Sequence, residues 1–573
     1  MNVNNKAQQQ NSYDAIVVGT GISGGWAAKE LTEKGLKTLV LERGRMVEHP
    51  NYPTATKDPW QFPNGGRPTQ EDLKNQFKQN RTGYTVHQST KHWFVNDLEN
   101  PYSEKEGKRF DWMRGYHVGG RSIMWGRHSY RWSDLDFGAN AKDGIAIDWP
   151  VRYAEIAPWY DYVEKYIGVT GQVENLPQLP DGVFQPPMEM NCLEKEVKKA
   201  VMEKFGRVFT IGRIAHITDK LTHDKSPQRG SCKYRNLCSR GCPYGAYFSS
   251  NSSTLPAATA TGNMTLRPNS IVYEVIYDEQ KKKATGVRVQ DAETGEQLEF
   301  YAKIVFLCAS TMGSTYILMN SISKRFPNGL GNDSGELGHN IMDHHLGVGA
   351  SGEFDGFEDQ YYSGRRANSL YVPRFRNIGK DKRDYLRGFG YQGGASRQNW
   401  SRMIAEMSIG ASLKDEVTTP GKWTMGLGGF GEILPYHENF VVINKDVKDK
   451  HGLPTLLFDT ELKENEMKMR VDMASDAAEM LEAAGLKNVK PHDRESQRAV
   501  GLGIHEMGTA RMGKDPKTSV LNKWNQVHNC TNVFVTDGSF MTSAACVNPS
   551  LTYMAFTARA VNHAVEELNK QNI

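Results

Sequence analysis

The feature that most constrains this chain lies at its start. Ala15 to Val18 is an apolar run of strand length, followed by GTGISGGWAAKELTEKG and then KTLVLERG. Strand, glycine-rich turn, amphipathic helix and second strand fall within about thirty residues, the length a βαβ unit requires. Gly19, Gly21 and Gly24 give the GxGxxG spacing directly between strand and helix. The first glycine allows the tight turn, the second lets backbone approach a pyrophosphate, and the third permits close helix–strand packing. Phosphates then sit at a helix N-terminus, where free N–H groups and the helix dipole favour an anion. Glu42, ending the second strand, is placed to accept hydrogen bonds from a ribose. These residues predict a dinucleotide site without deciding between NAD and FAD.

The rest of the chain predicts what surrounds that unit. Residues from about 48 to 106 are polar, rich in proline and glycine, and read as an irregular insertion covering a site. Trp149 to Gly168 carries a helical pattern. Ile271 to Leu307 alternates in period two between turn signals, which predicts a β-meander. Glu464 to Ala484 is helical, Asn532 to Thr536 is a strand, and a long helix follows Pro549. Asn548 is placed as its N-cap and Pro549 as its first residue, with an apolar face through Leu551, Met554, Ala555 and Ala558.

Charge and cysteine content exclude several partners. Lysine and arginine total 70 against 66 acidic residues, a net charge of +4, which makes no case for nucleic acid or an anionic membrane. No apolar run approaches the length of a membrane span, so direct membrane insertion is not expected. The N-terminus has no h-region or twin arginine; the expectation is a cytoplasmic chain, or a periplasmic one exported with a signal-bearing partner. Seven cysteines in 573 residues exclude a disulfide scaffold. Three of them, Cys232, Cys238 and Cys242, crowd into one glycine-rich basic loop, GSCKYRNLCSRGCPYG. Thiolate ligation of an iron–sulfur cluster suits three cysteines better than zinc, which wants four ligands; His216 and His223 are the only nearby candidates for a fourth. Cys308, at the end of IVFLCAS, reads as core.

Two C-terminal runs carry further chemistry. GIHEMGTARMG sets His505 beside a glycine turn, and VTDGSFMTSAACVNPSLTY places Asn548 at the positive end of a helix. With GTGISGG and Glu42, GYHVGGRSIMWG (Gly115 to Gly126) and HNIMDHH (His339 to His345), these motifs resemble the glucose–methanol–choline (GMC) oxidoreductases, in the family's order along the whole chain. The resemblance implies a mixed α/β fold: a Rossmann-like FAD-binding domain interleaved with a substrate domain containing an antiparallel sheet. It implies that residues 1–48, 107–148, 230–345 and 490–573 form the FAD domain, with 49–106 as the covering insertion. The substrate domain is then 149–229 and 346–489.

The same resemblance implies FAD contacts from Gly19, Gly21, Gly24, Glu42, Arg43, Gly119, Gly120, Ser122, Met124, Asp537, Gly538, Asn548 and Pro549. It assigns His505 and Asn548 to face the flavin. Some sugar-oxidising relatives bind FAD covalently through a histidine just before a tryptophan; Met124 precedes Trp125 here, so non-covalent FAD is expected. The cysteine spacing resembles the catalytic subunits of bacterial membrane-linked dehydrogenases, which implies a [3Fe–4S] cluster, a small signal-bearing subunit and a cytochrome c acceptor. It leans towards glucoside 3-dehydrogenases, which oxidise a C3 hydroxyl. The alternatives are a gluconate 2-dehydrogenase or glucose dehydrogenase flavin subunit, an oxygen-using oxidase, and a non-catalytic electron-transfer flavoprotein. Tyr361, Tyr362, Tyr391, Trp400 and Trp423 are candidate stacking surfaces for a sugar.

Overall fold

The computed structural model describes residues 11–221, 227, 229–360, 369–398, 409–418 and 420–573. His223, Tyr361, Tyr362 and Trp400 lie outside the described residues.

The first unit forms as the glycine pattern predicts. Strand Ser12–Val18 leads through the loop into helix Ile22–Glu33 and returns as strand Thr38–Leu41, parallel to the first with Ala15 opposite Thr38. Ala15–Val18 and Thr38–Leu41, the paired parts of the two strands, are buried on both faces, as a parallel sheet sandwiched by helices requires. The sheet continues outward from this pair: Met264–Arg267 beyond Thr38–Leu41, and Gln297–Leu307 then Cys530–Val535 on the other side. Chain ends far apart in sequence therefore meet in one sheet. Ser270–Asp278, Lys283–Asp291 and Gln297–Leu307 pair antiparallel in succession, the expected meander. Cys308 is buried just beyond the last of these.

Helix Ser550–Asn569 covers this sheet, with Leu551, Met554, Ala555 and Ala558 fully buried. It starts one residue later than the sequence predicts. Pro549 occupies the N-cap position at φ −87° and Asn548 lies outside the helix. Proline's fixed φ suits either position, so sequence spacing cannot choose between them.

The second sheet is antiparallel throughout. Its order is Lys487–Asp493, Val348–Phe354, Trp423–Gly431, Phe389–Arg397, Leu370–Val372 and Thr210–Ile211. Helix Glu464–Ala483 lies against it, and strand Trp423–Gly431 (WTMGLGGFG) admits the helix through glycines: a Cβ at Gly431 would fall 2.2 Å from Met473 Cε. Tyr391 and Trp423 are buried in the core beneath this sheet, so neither offers a ring to a sugar.

Helix Tyr153–Ile167 departs from the domain boundaries drawn on the sequence. Tyr162 and Tyr166 pack edge-on against Trp26 of the first helix, with centroids 5.7 and 5.1 Å apart. The buried Lys29 ammonium is held by Glu30, Glu33 and the Tyr162 hydroxyl. This helix packs with the dinucleotide domain, its aromatic face against Trp26. Among the described residues no helix is long and apolar enough to cross a membrane.

Candidate active site

A cavity of about 850 Å³ runs from the glycine loop to the junction of the two sheets. At one end its wall is Gly19, Thr20, Gly21, Glu42 and Arg43; at the other it includes His505, Asn548, Gln392 and Phe430. Gly120, Ser122, Met124, Asp537 and Gly538 line it between. Gly24, Gly119 and Pro549 are not among the residues that line it.

The loop's geometry fits a dinucleotide. A Cβ at Gly24 would lie 2.0 Å from Gly19 O, so the third glycine allows the helix to close on the turn. At Gly21 a Cβ would meet nothing within 4 Å, which leaves bare backbone facing open space at a helix N-terminus. The buried Glu42 carboxylate accepts N–H bonds from Thr20 (3.1 Å) and Gly44 (3.0 Å). Burial outweighs those bonds and raises its pKa. Gly119 N donates to Thr20 Oγ1 (2.9 Å), and Ser122 accepts from Ser250 N (3.1 Å), tying the GYHVGG segment to the loop. Arg43 reaches the wall already paired with Asp449 at 2.7 Å. Met124 faces the cavity with a thioether, which cannot act as the covalent nucleophile a histidine provides.

At the far end, His505 stands edge-on to His344 (5.1 Å) and Phe430 (5.5 Å). Its Nδ1 is buried without a hydrogen-bond partner. Desolvation first, then the positive side of His344, Arg121 and His128, holds its pKa well below 6.5. The imidazole is therefore neutral at physiological pH and free to take a proton. Asn548 is buried and its Oδ1 accepts from Gln392 Nε2 at 2.6 Å, which fixes the amide plane across the two sheets. This bond replaces the capping role drawn from the sequence. Insertion residues Thr82, Tyr84, Thr85 and Phe94 close the cavity from above.

Sequence reasoning missed Asp343, His344, Gln392 and the Arg121–Glu506 pair (2.7 Å). HNIMDHH marked the segment but not the roles, and Gln392 sits in a strand with no distinguishing pattern. Asp343, His344 and His505 bring one ligand atom each within 4.8 Å of one another. The Asp343 oxygens, however, are already occupied by backbone N–H groups, which makes this a poor cation site.

The cysteine loop lies beyond Met124. The Tyr247 hydroxyl sits between Ile123 O, next to the cavity wall, and Cys238 O, 3.1 Å from the latter. Burial raises the Cys232 pKa, opposed by the Tyr234 N–H, with Cys238 and Cys242 raising it further. The three sulfurs thus feel one another, and Tyr234 N donates to Cys232 Sγ at 3.5 Å. Among the described residues they do not converge within 4.8 Å, nor does His216 join them. A single zinc ion needs tetrahedral sulfurs about 3.8 Å apart.

A glycine-loop dinucleotide site continuous with a neutral histidine and an oriented asparagine defines a nucleotide-dependent oxidoreductase. Residues 214–346 and 435–557 match the N- and C-terminal models of the GMC oxidoreductases. The chain thus carries the N- and C-terminal GMC oxidoreductase domains, and its relatives support an FAD-dependent oxidoreductase acting on CH–OH groups. It is 29% identical to the 2-methyl-1,2-propanediol dehydrogenase of Mycolicibacterium austroafricanum, over 96% of this chain and 94% of that one. It is 25% identical to the fructose dehydrogenase large subunit of Gluconobacter japonicus, over 98% and 99%. The Aspergillus oryzae formate oxidase structure shares the fold at a TM-score of 0.62 and 15% identity, covering 98% of this chain and 99% of that chain.

Proposed function

We propose that this protein is a dehydrogenase that oxidises a secondary hydroxyl of a sugar, with a glucoside C3 hydroxyl as its narrowest reading. The observation that carries it is His505, neutral and unpaired at Nδ1, on the same cavity as Asn548 and the glycine loop. FAD held along that cavity without a covalent bond supplies the acceptor for the substrate's hydride. His505 takes the hydroxyl proton as the C–H bond breaks. Asn548, held by Gln392, hydrogen-bonds the developing alkoxide, an interaction worth a few kcal/mol when realised only in the transition state. The insertion keeps bulk water from the reacting carbon.

Cys232, Cys238 and Cys242 would hold a [3Fe–4S] cluster, which supplies one-electron transfer to a cytochrome c or similar acceptor. Tyr247, between the cavity wall and Cys238, supports a short path between the two sites. A signal-bearing subunit that carries the protein to the periplasm belongs to the same reading. The similarity to a diol dehydrogenase favours a second substrate class, short branched diols. Dye-linked turnover against methyl glucosides, hexoses, aldonates and 2-methyl-1,2-propanediol, with the oxidised carbon located by NMR, tests the substrate. A 3-keto product supports the narrow reading; turnover of the diol alone rejects it. Iron analysis with EPR tests the cluster, and iron-free holoenzyme with peroxide as product would favour an oxidase instead.

A further inference from the structure

The loop that carries His505 is strained. Gly501 has φ +96° and Ile504 has φ +60°, a left-handed backbone that a β-branched residue almost never adopts. Gly503 has no room for a side chain, since a Cβ would fall 2.4 Å from His344 O and 2.6 Å from Asp343 Oδ1. Strain of this kind persists only where the surroundings over-determine it. Here most of the side-chain bonds to this backbone come from one carboxylate. Fully buried Asp343 accepts from Gly501 N and Gly503 N through Oδ2 (2.8 Å each) and from His505 N through Oδ1 (3.0 Å). Arg121 adds a 3.4 Å contact to Ile504 O while pairing with Glu506. The next residue, His344, reaches Ala545 O at 3.1 Å, three positions before Asn548.

We infer that Asp343 is the positioning residue of this site, a carboxylate strap that holds the strained 501–505 backbone and so aims the His505 imidazole. The inference rests on His505 being the base. Asp343 touches no reacting atom; it acts through three N–H groups, to which an ionised carboxylate bonds more strongly than a neutral one. The charged and titratable groups facing it are Glu506, Arg121, His344, His505, Tyr84 and Tyr553. Burial, then Glu506, pushes its pKa up to about 7 against the backbone bonds. Acidification through that value converts one oxygen to a donor and slackens the strap. A raised carboxylate contributes stability that is complete below the ordinary value near 4 and lost as pH rises through about 7. Activity and stability from this group therefore move in opposite directions with pH, which a merely structural residue does not produce.

The test is Asp343→Asn holoenzyme, compared with wild type and His505→Ala on the fastest substrate of the panel above. Asn places an N–H₂ donor against at least one backbone N–H. The expected result is retained FAD, a kcat lowered by about 100-fold with little change in KM, and loss of the wild-type acid limb near pH 7. Ile504→Gly added to Asp343→Asn should restore part of kcat, because glycine adopts the left-handed backbone without strain. Wild-type kcat and an unchanged pH profile in Asp343→Asn overturn the inference. If His505→Ala loses flavin reduction while Asp343→Asn keeps it, only the strap fails; if His505→Ala keeps it, the base assignment fails first. Should Asp343→Asn not accumulate as holoprotein, Asp343→Glu decides: a carboxylate displaced by one methylene should keep FAD and lower kcat with little change in KM, and wild-type kcat in that variant overturns the strap.

Discussion

The cavity end and the cysteine loop are built on opposite plans. Along the cavity several groups are held by named partners: Asp343 on three N–H groups beside His505, Gln392 on Asn548 and, at the opposite end, Thr20 and Gly44 on Glu42, while His505 Nδ1 is left unpaired. The loop from Cys232 to Cys242 has little regular structure beyond one short turn, carries left-handed Tyr234 and Asn236, and leaves its thiols partly exposed. The first region is organised before any ligand arrives, as a site that stabilises a transition state must be. The second carries three partly exposed free thiols that, among the described residues, do not close on one centre. Damage to the first should cost stability or chemistry; damage to the second should cost only the ligand and whatever passes through it.

The largest expected effect lies behind the glycine loop. Trp26 is fully buried against Tyr162 and Tyr166, and Trp26→Ala should destabilise the fold by about 3–5 kcal/mol. Thermal unfolding of the holoprotein checks this; an unchanged Tm would mean the aromatic layer is not part of the supporting structure. Next, Asn548→Ala should slow flavin reduction about 100-fold with FAD still bound. Rapid mixing under anaerobic conditions reads that rate, and a rate equal to wild type removes Asn548 from the chemistry. Cys238→Ser should lose iron and turnover with a one-electron acceptor, while Tm and the rate of flavin reduction by substrate stay as in wild type. If flavin reduction falls equally, the two regions are one unit and the contrast fails. The smallest test perturbs nothing: acid precipitation of wild type should leave all flavin in the supernatant, and flavin retained in the pellet would show a covalent bond.

Much of the first region was legible in the sequence. GTGISGG lies between two apolar strands, so glycine chemistry and periodicity both specify the loop. The meander and the last helix followed from period two and from the apolar face after Pro549. The site's supports were not legible. Asp343 acts on backbone N–H groups some 160 residues onward, and no side-chain pattern marks a carboxylate that binds main chain. Gln392 finds Asn548 only because the second sheet brings its strand to the end of the first. The strand WTMGLGGFG has weak β-propensity, yet its glycines are what let helix Glu464–Ala483 pack. The contact of helix Tyr153–Ile167 with Trp26 has no signal in chain order, since about 130 residues separate the two. The cysteine loop is the reverse case: its motif is plain and its geometry is open.

The most direct test of the central claim is flavin reduction by the best panel substrate, followed anaerobically in wild type and His505→Ala with FAD content matched. Wild type should bleach rapidly, and His505→Ala should be slower by about 1,000-fold, within the range that a general base contributes. Equal rates in the two proteins would contradict the assignment of His505 as the base.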